Sequence, residues 1–452
     1  MGLSGINLSS LLSALGSSSS GIDVASAVSQ ALTALAAPEQ QWLTEQQNLQ
    51  TQATGIDKIQ SEVSALETSL NALGDPGGAL ASMSVTSSDP SVVSASAAPG
   101  TASGSHVVIV NSIASASSSY SNAVASSSTQ LPSGSFTLQV GSGTPTTIQI
   151  GNGVNTLDDL AASINGQGLG VTASVVNDST GARLAIVSNN TGSANAFTIT
   201  GASGLTFTQA SAGADANLSV DGIPIDSASN TITGAVNGLT LNLLGAAPGG
   251  QINVTIAPDT NAASQAIATF VGAYNTAIGD VNSQYMVGAD NREGALSGDS
   301  SVQMLQSMLL SAASYTGGGN GVSTLADLGI TMNNDGTLTL DSATLTNTVQ
   351  NNFGAVRNFL QGASSNGFVT SLNNQLNTLT DPTSGAFTVD LQSITNENKD
   401  LQGQINNFQT YLDAQKILLT AEYSQADITL QEIPQLEAQI NAELGNSSTT
   451  KS

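Results

Sequence analysis

The 452-residue sequence contains no cysteine and one histidine. Without cysteine the chain has no disulfide, no thiolate zinc ligand and no thiol nucleophile. The histidine, His106, opens an alternating run through Val110, which predicts a strand residue rather than a functional imidazole. Because histidine is the commonest carrier of acid–base and metal chemistry, we expect neither an enzyme nor a metal or cofactor site.

Basic residues are also scarce: seven lysines and arginines face 32 acidic residues, for a formal charge of −25. Proteins that bind nucleic acid or anionic membranes neutralise phosphates with clusters of lysine and arginine. Here the basic residues are scattered along the chain, as Lys58, Arg183, Arg292, Arg357, Lys399, Lys416 and Lys451. The sequence therefore predicts no nucleic-acid partner.

Long apolar runs are missing too. Stretches such as Val107 to Val110 fall far short of the roughly 20 residues that span a bilayer. The first basic residue is Lys58, so the N-terminal segment lacks the charged and apolar parts of a signal peptide. We expect no membrane insertion and, for a secreted protein, export without a cleaved signal peptide.

A heptad pattern occupies the N-terminal region. Every seventh residue is apolar at Val28, Leu35, Trp42, Leu49, Ile56, Val63 and Leu70. A second position of the heptad fills from Ile59 onward, and a pattern this long is typical of a coiled coil. Pro38 suits the first turn of a second helical segment. The sequence predicts a disordered arm over residues 1–20 and a helical stalk over 21–79.

The same spacing returns near the C-terminus, at Ile405, Leu412, Leu419, Ala426, Ile433 and Ile440. We predict a coiled-coil helix over 386–444, with a disordered tail over 445–452. Pro434 is expected to kink or interrupt this helix. Two helices of matched length can bury their stripes against each other. An antiparallel stalk is favoured, because a parallel pairing requires the intervening residues to span the length of the stalk again.

We call these heptad positions the stalk seam, without Ala426. The seam is either an internal core of the stalk or, in part, a surface left exposed for pairing with other subunits.

Between the two helices, residues 80–260 are rich in Ser, Gly, Thr, Ala and Val and contain short alternating runs typical of strands. We expect one or two β-rich head domains here, interrupted by a helix that starts after Thr156. The predicted fold class is therefore α+β and multidomain, with the head inserted between stalk helices.

Residues 261–385 return to a mixed helical pattern that is expected to pack on the stalk. Asp259 precedes a helix, and Ser300 with Gln303 matches a capping box. Gly336 lies in a hairpin turn between two short strands; the calcium-loop alternative fails for lack of suitable first and twelfth ligands. Asp341 is expected to cap one helix that carries Leu345, Val349, Val356 and Phe359.

The order of these motifs resembles the flagellar hook-associated protein 2 (FliD) family of filament-capping proteins. The motifs are Gly21-Ile22-Asp23-Val24, a flagellin-hook-like repeat over about 134–200, Val220-Asp221-Gly222, Phe270-Val271-Gly272-Ala273-Tyr274-Asn275 and Leu325-Ala326-Asp327-Leu328-Gly329-Ile330. The resemblance covers most of residues 21–425.

This resemblance implies an extracellular structural protein at the tip of the bacterial flagellum. There a homo-oligomeric ring would assist the insertion and polymerisation of exported flagellin, without a cofactor. Hook–filament junction proteins and an export chaperone are further partners that it implies. Two alternatives stay open: another axial protein of the flagellin or junction type, and a secreted adhesin or carbohydrate-binding protein.

Overall fold

A computed structural model describes residues 23–201, 204–286, 294–319, 321–362 and 366–447. These residues form nine α-helices and seventeen β-strands, and all the paired strands in them are antiparallel. The predicted α+β multidomain class is confirmed. The predicted arm, 1–20, lies outside the described residues, as does the predicted tail beyond residue 447.

The helices are α1 (Val24–Leu35), α2 (Ala37–Gly74), α3 (Leu157–Gly166), α4 (Thr260–Gln284), α5 (Ser300–Ala313), α6 (Ser342–Asn351), α7 (Phe353–Gln361), α8 (Phe368–Thr380) and α9 (Ala386–Ser447). Two short 3₁₀ helices cover Ser193–Asn195 and Leu325–Leu328.

The strands are β1 (Met83–Ser87), β2 (Val93–Ala97), β3 (Gly104–Ser112), β4 (Ser118–Ser121), β5 (Gly134–Val140), β6 (Thr146–Ile150), β7 (Val171–Asp178), β8 (Gly181–Ser188), β9 (Phe197–Thr200), β10 (Phe207–Ser211), β11 (Ala216–Val220), β12 (Ile223–Ser227), β13 (Thr231–Val236), β14 (Leu239–Leu243), β15 (Ile252–Pro258), β16 (Ile330–Met332) and β17 (Leu338–Leu340).

Two β-rich modules are nested within the chain. The outer module, residues 83–112 and 216–258, packs a five-stranded sheet (β1-β15-β3-β11-β12) and a three-stranded sheet (β13-β14-β2) around one core. The inner module, residues 115–214, packs the β10-β4-β8-β7 and β6-β5-β9 sheets with α3 around a second core. Backbone hydrogen bonds between Ser115 and Ala214 close the inner module at its base.

A third core forms the helical body, which we define as residues 56–80 and 260–387. Helix α2 packs here on α4 and α8, and the largest buried side chains are aromatic. The hydroxyl of buried Tyr274 donates a hydrogen bond to the Leu309 carbonyl at 2.8 Å, which satisfies the polar end of that ring. This core joins helices that are far apart in sequence.

Aspartates begin three helices of the helical body. Asp259, Asp299 and Asp341 are the N-caps of α4, α5 and α6, each accepting from two backbone N–H groups. The predicted capping box at Ser300 is wrong, because the Asp299 carboxylate accepts from Ser301 and Val302 and starts the helix one residue earlier.

The single helix predicted after Asp341 is also wrong. The chain leaves helical geometry at Asn352 (φ −132°, ψ 33°), so α6 ends and α7 begins there. Two consecutive asparagines, Asn351 and Asn352, are weak helix formers, which explains the position of the break. The hairpin at Gly336 (φ +81°) is confirmed by the pairing of β16 with β17.

Pro434 does not interrupt the C-terminal helix, so of the two effects expected there, a kink or a break, the break is wrong. Helix α9 is continuous from Ala386 to Ser447, three residues into the predicted tail. Proline removes one N–H and leaves the Leu430 carbonyl without its helical partner. Both residues are exposed, so water can hydrate that carbonyl and the helix continues.

Candidate assembly surface of the terminal helices

The N-terminal helix is broken once, at Ala36, which ends α1 and precedes α2. Pro38 lies in the first turn of α2, as predicted, where its missing N–H has no intrahelical acceptor. The Asp23 side chain accepts from the Ser26 N–H at 3.1 Å and so starts α1. Pro38 and Asp23 therefore account for where α2 and α1 begin.

Helices α1 and α2 pair with α9 in the antiparallel sense, which the sequence favours over the parallel one. Glu39 accepts from the Gln409 amide at 2.8 Å, and seven residues later Gln46 donates to Gln402 at 3.2 Å. Moving seven residues along α2 thus moves seven residues back along α9. Between these contacts the Trp42 ring meets the edge of Phe408, with centroids 5.2 Å apart.

The seam residues of this pairing differ in how deeply they are buried. Val28, Leu49 and Ile405 are buried. Trp42 and Leu35 on one side, with Leu412 and Leu419 on the other, are only half-buried. Because two helices alone cannot enclose a stripe, this part of the stalk keeps apolar surface in contact with water.

The lower seam positions of α2 have further partners besides the predicted one. Ile56, Val63 and Leu70 are fully buried in the helical body, where α4 and α8 pack on α2 in addition to the start of α9. The signal for this change lies in the sequence: the second heptad position fills only from Ile59 onward, which widens the apolar face. A wider apolar face is what a helix needs when several neighbours cover it.

The last part of α9 extends beyond the residues that α1 covers. The side chains of Ile433 and Ile440, two predicted seam residues, are 44% and 53% exposed. Ile428 and Leu436 are also about half exposed. This stretch of α9 therefore carries an apolar surface with no partner among the described residues.

A charged cluster ties α2 to α4 inside the helical body. Lys58 Nζ lies 2.5 Å from Asp280 Oδ2 and 3.8 Å from Glu62 Oε1. The pKa of Glu62 is raised to about 8, mainly by burial and secondly by a hydrogen bond to Asp280. Glu62 therefore keeps its proton at neutral pH and donates it to Asp280, whose pKa that hydrogen bond lowers.

His106 lies in β3, as predicted, where its ring meets a turn of the outer module. Its Nδ1 lies 2.7 Å from Asp221 Oδ2, and Asp221 Oδ1 accepts from the Val107 N–H at 2.9 Å. The hydrogen bond to His106 lowers the pKa of the Asp221 carboxyl. Both groups are satisfied by the turn, so the pair has a structural explanation.

The described part of the chain presents apolar surfaces on its terminal helices. Across the described ranges, no three His, Asp or Glu side chains come together in a way that could hold a metal ion. None of the helices in these ranges has an apolar stretch long enough to cross a membrane. What the terminal helices present instead is half-buried and exposed apolar surface along a stalk.

Two family models match this chain over its helical parts and the outer module. The model for the N-terminus of flagellar hook-associated protein 2 matches residues 20–117, and the model for its C-terminus matches residues 213–435. The chain belongs to the flagellar hook-associated protein 2 family. A third model, the flagellin hook IN motif, matches residues 135–190, within the inner module.

Members of the flagellar hook-associated protein 2 family resemble this chain over most of its length. The protein from Aeromonas caviae is 28% identical, with 88% of this chain and 92% of that protein covered. The B-type protein from Pseudomonas aeruginosa is 28% identical, with 72% and 76% covered. The crystal structure of the D1-D2-D3 domains of the flagellar cap protein FliD from Escherichia coli matches with a TM-score of 0.60 and 27% identity. It covers 75% of this chain and 99% of the crystallised one.

Proposed function

We propose that the protein caps the tip of a bacterial flagellar filament as a ring of identical subunits and assists the insertion and polymerisation of exported flagellin. It works outside the cell, reaches the tip without a cleaved signal peptide, and has a structural rather than catalytic role. Its partners are further copies of the chain and flagellin, with hook–filament junction proteins and an export chaperone as additional partners. Membership of the hook-associated protein 2 family supports this proposal.

One structural observation carries the proposal: the terminal helices leave apolar surface uncovered. Helix α9 continues past the part paired with α1, and Ile433 and Ile440 are exposed there. Monomeric proteins seldom expose such a row, and rows of this kind mark protein–protein contacts. Seam residues in the upper stalk, which is the part where α1 and the first half of α2 pair with α9, accordingly act in assembly. Ile56, Val63 and Leu70, further along α2, act in the core of the subunit.

The proposed division of labour follows the chain. Residues 21–79 and 386–444 form the stalk, residues 261–385 brace it, and residues 80–260 form a head that projects from the ring. The terminal segments, 1–20 and 445–452, serve assembly rather than folding of the subunit.

Filament growth in cells that lack their own cap protein tests the proposal. The full chain is expected to restore long filaments and to reduce the amount of monomeric flagellin in the medium. Native mass spectrometry of the purified chain is expected to show a closed oligomer of one size. A chain that is secreted normally but restores no filament and stays monomeric at all concentrations contradicts the proposal.

A further inference from the structure

An open apolar groove runs along one side of the upper stalk, where α1 lies against α9. Its volume is about 760 Å³. The α1 wall includes Val28, Ser29 and Leu32, and the α9 wall includes Leu412, Lys416 and Thr420. Small side chains such as Ala25 and Ser29 leave the groove deep enough for larger side chains to enter.

A ridge of two large apolar side chains lies on the other side of α9. Tyr411 is 47% exposed and Leu418 is 49% exposed. They are seven residues apart, so they lie on one face of the helix. The Tyr411 ring stacks on Phe408, with centroids 5.7 Å apart, which holds it in position. Ordered tyrosines of this kind are frequent anchors of protein–protein interfaces.

The groove and the ridge point in nearly opposite directions from the same stretch of α9. At about 100° per residue, the groove residues Leu412, Lys416 and Thr420 centre about 150° away from Tyr411 and Leu418. The two surfaces also lie at one height on the stalk, since they span residues 412–420 and 411–418.

Closed rings need this combination. A ring of identical subunits uses two different surfaces on each subunit, one of which meets the other surface of the next copy. In a ring whose rotation axis runs parallel to the stalk, each copy is displaced sideways from its neighbour and not along the stalk. The two surfaces must therefore share one height and face opposite ways, as the groove and the ridge do.

Charge favours the same pairing. The chain carries a formal charge of −25, so most faces of two copies repel each other. The groove is lined by Lys416 and Asp413, which offset each other, whereas Glu422 lies one turn from Leu418 on the ridge side. A neutral groove that includes one of the seven basic residues accepts this ridge with less repulsion than an acidic face would.

We propose that the Tyr411–Leu418 ridge of one copy inserts into the α1/α9 groove of the next copy, as the head-to-tail contact of the ring. This inference rests on the proposed ring and names the surfaces that build it. The alternative occupants of the groove are a flagellin helix and residues 1–22 of the same chain. Cross-linking and substitution distinguish them from a second copy.

Disulfide cross-linking of the full chain tests the contact directly, because the natural sequence contains no cysteine. The antiparallel register places Glu39 opposite Gln409. Ser29, ten residues before Glu39, therefore lies near Leu419, ten residues after Gln409, and level with Leu418. The double variant S29C/L418C is expected to form, on mild oxidation, a ladder of covalent dimers, trimers and larger species that ends at the ring size. A mixture of the two single variants is expected to give dimers only.

Cross-linking of either single variant alone overturns the proposal, because it indicates a symmetric contact between like surfaces. Absence of the ladder from S29C/L418C overturns it as well, and assigns the groove to another occupant. Native mass spectrometry on the same samples separates the two levels of inference. Closed oligomers without a ladder contradict only this contact, whereas monomers at every concentration, with no filament growth, contradict the proposed function too.

A substitution series supplies a second, independent readout. Leu418→Ser is expected to raise the subunit concentration needed for half-maximal ring formation by roughly tenfold or more. Val389→Ser is the matched control, since Val389 is 56% exposed on α9 but lies outside the groove, the ridge and the exposed C-terminal stretch of α9. Both variants are expected to keep the wild-type melting temperature. Equal ring formation by the two variants contradicts the proposal.

Discussion

At the scale of single residues, Glu62 links proton binding to the packing of the helical body. The buried Glu62 Oε2 has no hydrogen-bond donor among the described residues, and burial favours the neutral form of this carboxyl. A proton on Glu62 makes it a donor to Asp280, while Lys58 stabilises the charge on Asp280, to which it lies closer. One proton and one ammonium therefore hold α2 against α4.

The pH dependence of stability follows from the raised pKa of Glu62, which is about 8 in the folded chain against 4.5 ordinarily. Stability that depends on a raised pKa is complete below the unfolded value and is lost as pH rises through the folded value. We expect the melting temperature of the helical body, measured by circular dichroism at 222 nm, to fall as the pH rises from 5 to 9.

Glu62→Gln keeps a donor towards Asp280 but has no proton to lose, so its melting temperature is expected to stay level over this range. Glu45→Gln, at an exposed position of the same helix, is the control and is expected to follow the wild type. If the Glu62→Gln and wild-type curves run parallel, the carboxyl pair does not control this dependence.

At the scale of elements, the stalk shows two kinds of helix contact. In its upper part α9 covers one side of α1 and α2, so Leu412 and Leu419 stay half-buried and only residues such as Leu49 and Ile405 lose their exposure to water. In its lower part α2 is surrounded by α4 and α8. The same heptad spacing therefore supports an open pair and a closed core.

Truncation of seam residues is expected to cost stability according to burial. Ile405→Ala removes a side chain that is 2% exposed and is expected to lower the free energy of unfolding by about 2–5 kcal/mol. Leu412→Ala removes a half-buried side chain and is expected to cost less than about 2 kcal/mol. Chemical denaturation monitored by circular dichroism measures both.

Leu43→Ala serves as the control on α2, because Leu43 is 37% exposed and does not belong to the seam. Its free energy of unfolding is expected to stay within about 0.5 kcal/mol of the wild type. Equal losses for Ile405→Ala and Leu43→Ala would show that the upper stalk is not held by its seam.

At the scale of the whole molecule, the head is an insertion whose two ends meet. Asp259 donates its backbone N–H to the Ser82 carbonyl at 2.9 Å, directly where β1 and β15 join the helical body. The cores of the outer and inner modules contain only residues between Val93 and Ile256. Each module therefore completes its core without a residue from the stalk.

A fragment of residues 80–260 is expected to fold on its own, with a β-type circular dichroism spectrum and a cooperative thermal transition. We expect independent folding because both β cores are complete within the fragment. A fragment that stays a random coil at all temperatures would show that the helical body is needed to fold the head.

The reciprocal variant replaces residues 83–258 by a short glycine linker. Because Ser82 and Asp259 already contact each other, the helical body is expected to keep its helical spectrum and a cooperative transition of its own. Loss of helix in this variant would mean that the head stabilises the body through contacts other than the connection at its base.

Local patterns in the sequence predicted the type of most elements. The heptads at Val28 to Leu70, the alternation after His106 and the turn at Gly336 each depend on residues close together in the chain, and all three produced the expected structure. Helix starts were less predictable. Ser300 matched a capping box, but the neighbouring Asp299 carboxylate is the better acceptor and began the helix.

The sequence by itself determined that apolar stripes exist on α2 and α9, because heptad spacing places those side chains on one face of a helix whatever lies opposite. Only the tertiary structure decided what covers each part of them. Ile56 is buried by helices roughly 200 residues away in sequence, Leu412 is half covered by α1, and Ile433 has no described partner. Burial depends on which neighbours the whole fold brings to a helix, and no local spacing encodes that choice.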